Sequence, residues 1–123
     1  MSSIHPANAA VWFEIPVSDM ARAKAFYGKV LETELTDEEM GPNPMAVFPT
    51  ADRDGVGGHL YPGKPAAGGG NTIHLKSPDP LEAALERVRD NGGKVVSDIV
   101  TIPAGRFAYC LDPDGNSIGL FGS

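Results

Sequence analysis

The chain of 123 residues is long enough to bury a core without disulfides and too short for two independent domains. Its hydrophobic content of 41% and charged content of 21% are those of a soluble globular protein, and no run approaches the roughly 18 apolar residues of a membrane span. Sixteen acidic against ten basic residues give a net charge of −6, with Lys and Arg scattered, which excludes the concentrated basic footprint of a nucleic-acid partner.

The opening MSSIHPANAA has neither the basic start nor the apolar stretch of a secretory signal, and a single cysteine forms no internal disulfide; a cytoplasmic location is the expectation. His5 sits in this polar leader and reads as surface. From Val11 to Val17, Phe13, Ile15 and Val17 share one parity and Trp12, Glu14 and Pro16 the other, as in a half-buried strand. Ser18 or Asp19 caps a helix over about 20–31, in which Ala23, Phe26, Tyr27, Val30 and Leu31 recur at amphipathic spacing. Short strands are expected near 45–49 and 56–61, separated by a turn at Ala51–Asp54. Residues 62–71, PGKPAAGGGN, have no periodicity and read as a flexible connection.

A second alternating strand follows in NTIHLKS, with Ile73 and Leu75 on the packing parity and Thr72, His74 and Lys76 opposite. Asp79 is the expected cap of the next helix, Pro80 its first residue, and Leu81, Ala84, Leu85 and Val88 its buried stripe. Asn91, Gly92 and Gly93 stop it. Strands are expected at about 94–100, 106–111 and 117–121, the last two joined by the turn Asp112–Asn116. There Pro113 fixes φ and Gly115 takes positive φ, so the two aspartates of DPDGN read as turn chemistry. Cys110 lies in an apolar strand and reads as a small buried hydrophobe.

An offset of 60 residues superposes the two halves: Phe13 on Ile73, Ile15 on Leu75, Asp19 on Asp79, Glu14 on His74. The expected fold is α+β, two tandem βαβββ modules at about 11–61 and 72–121 joined by the Gly/Pro-rich linker, within one domain spanning 1–123. Each helix covers one face of a curved sheet, and the bare faces line a small-molecule cleft.

VWFEIPVSDMARAKAFYGKVL resembles the opening, and NGGKVVSDIVTIPAGRFAYCLDPDGNSIGLF the ending, of the vicinal oxygen chelate superfamily of glyoxalases, bleomycin-resistance proteins and extradiol dioxygenases. The nearest likeness is to its uncharacterised glyoxalase-related members. The resemblance implies the glyoxalase-like fold, a homodimer, and a divalent metal such as Zn, Ni, Fe or Mn. That metal would be held by up to four side chains on the first and last strands of each half, and would act as a Lewis acid on two neighbouring substrate oxygens. Carried over residue by residue, the pattern is incomplete. The first position falls on Trp12, with Glu14 two residues on; the end of the first half falls near Gly58 or His59. The second module's first position falls near Thr72 or Ile73, beside His74, and the last carboxylate falls on Gly119.

Glu14 and His74, related by the repeat, are expected to face one another across the cleft, as an acid and base, as metal ligands completed by His59, or as a salt-linked pair. Trp12, His59, Tyr61, Arg106 and Phe121, with Tyr109, are expected to line the ligand space. Two functions stay open: a lyase or isomerase acting on an oxygenated or thiol-conjugated metabolite, and a metal-free protein that sequesters its ligand. An extradiol-type dioxygenase using His59, His74 and Glu14 is a third.

Overall fold

The structure, a computed structural model, describes residues 5–39, 44–52 and 54–123. Alternation and capping produce the first unit in chain order: β1 (Glu14–Val17), α1 (Met20–Leu31), β2 (Thr36–Glu38), β3 (Met45–Val47) and β4 (His59–Pro62). The second contains β5 (Ile73–Lys76), α2 (Leu81–Asp90), β6 (Lys94–Val95), β7 (Val100–Ile102), β8 (Gly105–Leu111) and β9 (Ser117–Gly122). The fold is mixed α+β, with two helices and two curved sheets. Helix α1 begins where expected because the Asp19 carboxylate accepts the Arg22 N–H at 3.0 Å.

The strands form two sheets, ordered β1-β4-β3-β2 and β5-β9-β8-β6, with β7 paired to β8. In each, the first strand runs parallel to the last and lies at the sheet edge. Glu14 pairs with His59 and Ile15 with Leu60; His74 pairs with Gly119 and Leu75 with Leu120. Adding 60 to the Glu14, Ile15 and Pro16 pairs gives the His74, Leu75 and Lys76 pairs, so the repeat holds at the level of strand partners. Letters repeat here as well: DRDGVGGHL at 52–60 aligns with DPDGNSIGL at 112–120.

One parity of each sheet faces the helices. Ile15, Val17, Ala46 and Leu60 pack with Ala23, Phe26, Tyr27 and Val30; Leu75, Ala108, Cys110, Ile118 and Leu120 pack with Leu81, Ala84, Leu85 and Val88. All belong to one cluster, because α1 and α2 touch and the Arg87 guanidinium donates to the Val30 carbonyl at 3.2 and 3.3 Å. Fully burying a side chain such as Leu60 or Leu120 contributes roughly 1.5–3 kcal/mol.

Three expectations need correction. Strand β2 lies in TDE, whose polarity hides it from a hydrophobic pattern; it is held by pairing with β3. The expected strand 94–100 is two short ones, and Asp98 lies between them. Asp79 does not cap α2: Pro80 is the capping residue, and the Asp79 carboxylate accepts the Ser123 N–H at 3.2 Å. The Leu81 N–H is satisfied by the Ser123 carbonyl at 2.9 Å, so a backbone group does the work assigned to a side chain. In the turn expected at Ala51–Asp54, Arg53 lies outside the described residues; around it, Thr50 Oγ1 and the Gly55 N–H bond to the Asp52 carbonyl. His5 is exposed.

Cys110 is buried, and loss of water pushes its thiol up to about 11. The native protein is therefore expected to react with a disulfide reagent at neutral pH far more slowly than the unfolded chain. Equal rates in a time course with and without denaturant would contradict this placement.

Candidate functional site

The sheet parities turned away from the helices carry the chemistry. On the first sheet this face holds Glu14, His59 and Tyr61, with Trp12 just ahead of β1. On the second it holds His74, Phe107, Tyr109, Gly119 and Phe121.

His59 is only 6% exposed and both of its ring nitrogens are engaged. Trp12 Nε1–H donates to Nδ1 at 2.8 Å, while Nε2 lies 3.3 Å from the Glu14 Oε1. An indole N–H can only donate, so Nδ1 must be the bare nitrogen and the neutral ring carries its proton on Nε2, toward the carboxylate. Tyr61 meets the same ring edge-on at 6.1 Å. Backbone register makes this cluster: the His59 N–H bonds the Phe13 carbonyl at 3.0 Å, which fixes β4 beside the residues entering β1.

The second face is an aromatic wall. His74 lies edge-on to Phe107 at 5.6 Å and near Tyr109 at 5.7 Å, and Phe107 stacks on Phe121 at 6.3 Å with 13° between planes. Gly119 explains how it closes up. A Cβ at that position would meet His74 Nδ1 at 2.2 Å, so the imidazole lies over bare backbone where the resemblance places a carboxylate.

These placements revise the expected constellation. Glu14 pairs with His59, its register neighbour, and makes no ion pair with His74; among the described residues no three His, Cys, Asp or Glu side chains are grouped as metal ligands. Arg106 leaves the ligand space: it projects on the helix-facing parity and forms two hydrogen bonds, at 2.7 and 2.8 Å, with the Glu82 carboxylate of α2. That guanidinium holds the Glu82 carboxyl down at about 2. Trp12, His59 and Tyr61 collect on one face, and Tyr109 and Phe121 on the other. Phe107 is absent from the sequence expectation, although alternation along GRFAYCL puts it on the parity of Tyr109 and opposite Ala108 and Cys110.

The donor set does not fit the four-ligand metal centre. Ligation through His59 Nε2 requires the proton on Nδ1, where it would oppose the Trp12 N–H, donor against donor. The fourth position is glycine, its space filled by the His74 ring.

Paired βαβββ units, an edge strand parallel to the last strand of each unit, and chemistry-bearing residues on the faces away from the helices define the paired-module class that hosts glyoxalases and resistance proteins. The family described as the Glyoxalase/Bleomycin resistance protein/Dioxygenase superfamily matches residues 9–120, and the chain belongs to it. No curated protein shows significant similarity. Among solved structures, a glyoxalase/bleomycin resistance protein from Albidiferax ferrireducens T118 is 20% identical with a TM-score of 0.74, over 94% of this chain and 99% of that one. TnmS3, an antibiotic binding protein from Streptomyces sp. CB03234, is 28% identical with a TM-score of 0.66, over 96% and 98%. A glyoxalase I mutant from Zea mays is 21% identical with a TM-score of 0.67, over 90% of this chain and 45% of that one.

Proposed function

We propose that this protein sequesters a flat, largely apolar small molecule without a resident metal. The cleft is assembled by two copies, the Trp12–His59–Tyr61 face of one protomer opposing the His74–Phe107–Tyr109–Phe121 face of its partner. The observation that carries this reading is the pair of separate aromatic half-sites, with Trp12 45% and Tyr109 38% exposed. Exposed aromatic faces favour closure by association, and flat aromatic walls favour a flat ligand. TnmS3, at 28% identity, supports a binding role.

A second reading, a lyase or isomerase, draws on the solvent-accessible Glu14 carboxylate beside the His59 N–H, where it can take a proton from a bound carbon acid and the imidazole can hold it in place.

Trp12 is the single tryptophan, so its fluorescence reports occupancy. Titration with flavone should quench it saturably, sedimentation should give twice the 12.9 kDa chain mass, and Tyr109→Ala should weaken binding about tenfold, the loss of one stacking contact. A monomer with no flavone binding overturns the proposal. If Glu14→Gln abolishes a measured turnover while flavone binding persists, the enzymatic reading replaces it.

A further inference from the structure

The two halves of this repeat treat their edge strands differently. Along β1, the Phe13 carbonyl accepts the His59 N–H and the Val17 carbonyl the Gly63 N–H, so alternation turns the backbone of Glu14 and Pro16 outward. Pro16 has no N–H, and its carbonyl accepts the Asn116 Nδ2 at 2.8 Å. The DPDGN turn that carries Asn116 is fixed by Asp112 to Tyr27, and the Asn116 Oδ1 accepts the Ala66 N–H. Asn116 thus caps that edge at Pro16.

Sixty residues away the same elements leave the edge open. In β5 the Ser77 N–H bonds the Phe121 carbonyl, so alternation turns the backbone groups of His74 and Lys76 away from β9. The residue equivalent to Asn116 is Val56, which has no amide to reach them, and the residue equivalent to Tyr27 is Arg87, turned instead to Val30 and Glu32. A cavity of about 690 Å³ occupies this corner. Phe13, Leu31, Phe48, Val56 and Leu75 give it an apolar wall, and Lys76 stands at its rim. Glu32, also at the rim, is engaged by Arg87 at 3.7 Å, whereas Lys76 makes no ion pair among the described residues.

We infer that this cavity is a second binding site, adjoining the aromatic wall at His74 but lined mainly by other residues, for an aromatic carboxylic acid. The ring system packs on Phe13 and Phe48. The carboxylate meets the Lys76 ammonium and the outward N–H groups of the β5 edge. An apolar pocket of this size with a few convergent polar groups is the usual form of a small-molecule site. The uncommitted Lys76 ammonium sets its preference for an anion.

Backbone amide spectra recorded during titration with 2-naphthoate test the assignment on the unaltered protein. Shifts should concentrate at Phe13, Leu31, Phe48, Val56 and Lys76. Lys76→Gln should weaken 2-naphthoate about tenfold, the loss of one charge-assisted contact, and leave 2-naphthylmethanol unchanged. Val56→Phe should block both ligands by filling the cavity, and Tyr109→Ala should alter neither. No binding at millimolar concentration, shifts confined to Trp12, His59 or Tyr109, or equal 2-naphthoate affinity in Lys76→Gln would each overturn the inference. None of these outcomes depends on flavone binding at the aromatic faces.

Discussion

Asp112→Ala is expected to cost about 3–5 kcal/mol, the sum of two or three buried groups left without partners. The Asp112 carboxylate is 3% exposed and accepts from four donors: Tyr27 Oη at 2.7 Å, Asn116 Nδ2 at 2.9 Å, and the backbone N–H groups of Asp114 and Asn116, each at 2.9 Å. Alanine would strand the Tyr27 hydroxyl in the core and release the turn from α1, so that the side-chain clasp on Pro16 would loosen as well. Asp112→Asn should cost less, since one of its two side-chain acceptors survives. Chemical denaturation measures both; a loss under about 1 kcal/mol for alanine would mean that the turn holds without its carboxylate.

The same network fixes a pH limit. Burial, then the charges and hydrogen bond of Asp112, hold the Tyr27 phenol well above its ordinary 10. A folded-state value raised above the unfolded one means that the contribution is intact below about pH 10 and is lost as the pH rises beyond it, because the unfolded chain ionises first. Stability should therefore fall more steeply above pH 10 than in Tyr27→Phe. Parallel alkaline profiles of the two proteins would refute this.

Trp12→Phe is expected to raise zinc affinity about 10–100-fold, the usual size of an outer-shell effect on a metal ligand, here acting in reverse. The indole N–H dictates which imidazole nitrogen carries the proton. Without it, His59 is free to place its proton on Nδ1 and offer Nε2 beside Glu14. Competition with a chelating dye provides the measurement. The unaltered protein should hold zinc weakly, and adding Gly119→Glu to Trp12→Phe should strengthen binding further once the His74 ring has rotated off the strand. Equal affinity in the unaltered protein and Trp12→Phe would show that the tautomer does not govern ligation.

Gly119 marks the boundary between what was legible and what was not. The motif DPDGNSIGLF carried both the family resemblance and the departure from it, and the turn chemistry read from it holds: Gly115 has φ +85. That the gap at 119 is occupied by the His74 imidazole follows from strand register, which alternation alone cannot supply. For the same reason the expected Glu14–His74 pairing gave way to Glu14–His59. The repeat relates positions that are equivalent between modules, whereas hydrogen-bonded strands decide which side chains are neighbours.

Both helices, the strands that precede them, the buried parity of β1 and β5, and the residue types available to a site are legible in the chain itself. These rest on local periodicity and capping, which act within a few residues and are written in the chain. Only the tertiary fold makes Trp12 lock the His59 tautomer, pairs Arg106 with Glu82 of α2, and has Asn116 cap Pro16 at one sheet edge while Val56 leaves the equivalent Lys76 uncapped. Each of these is a contact between residues 24 to 100 positions apart, and such contacts depend on how the two sheets and helices come together rather than on any pattern along the chain.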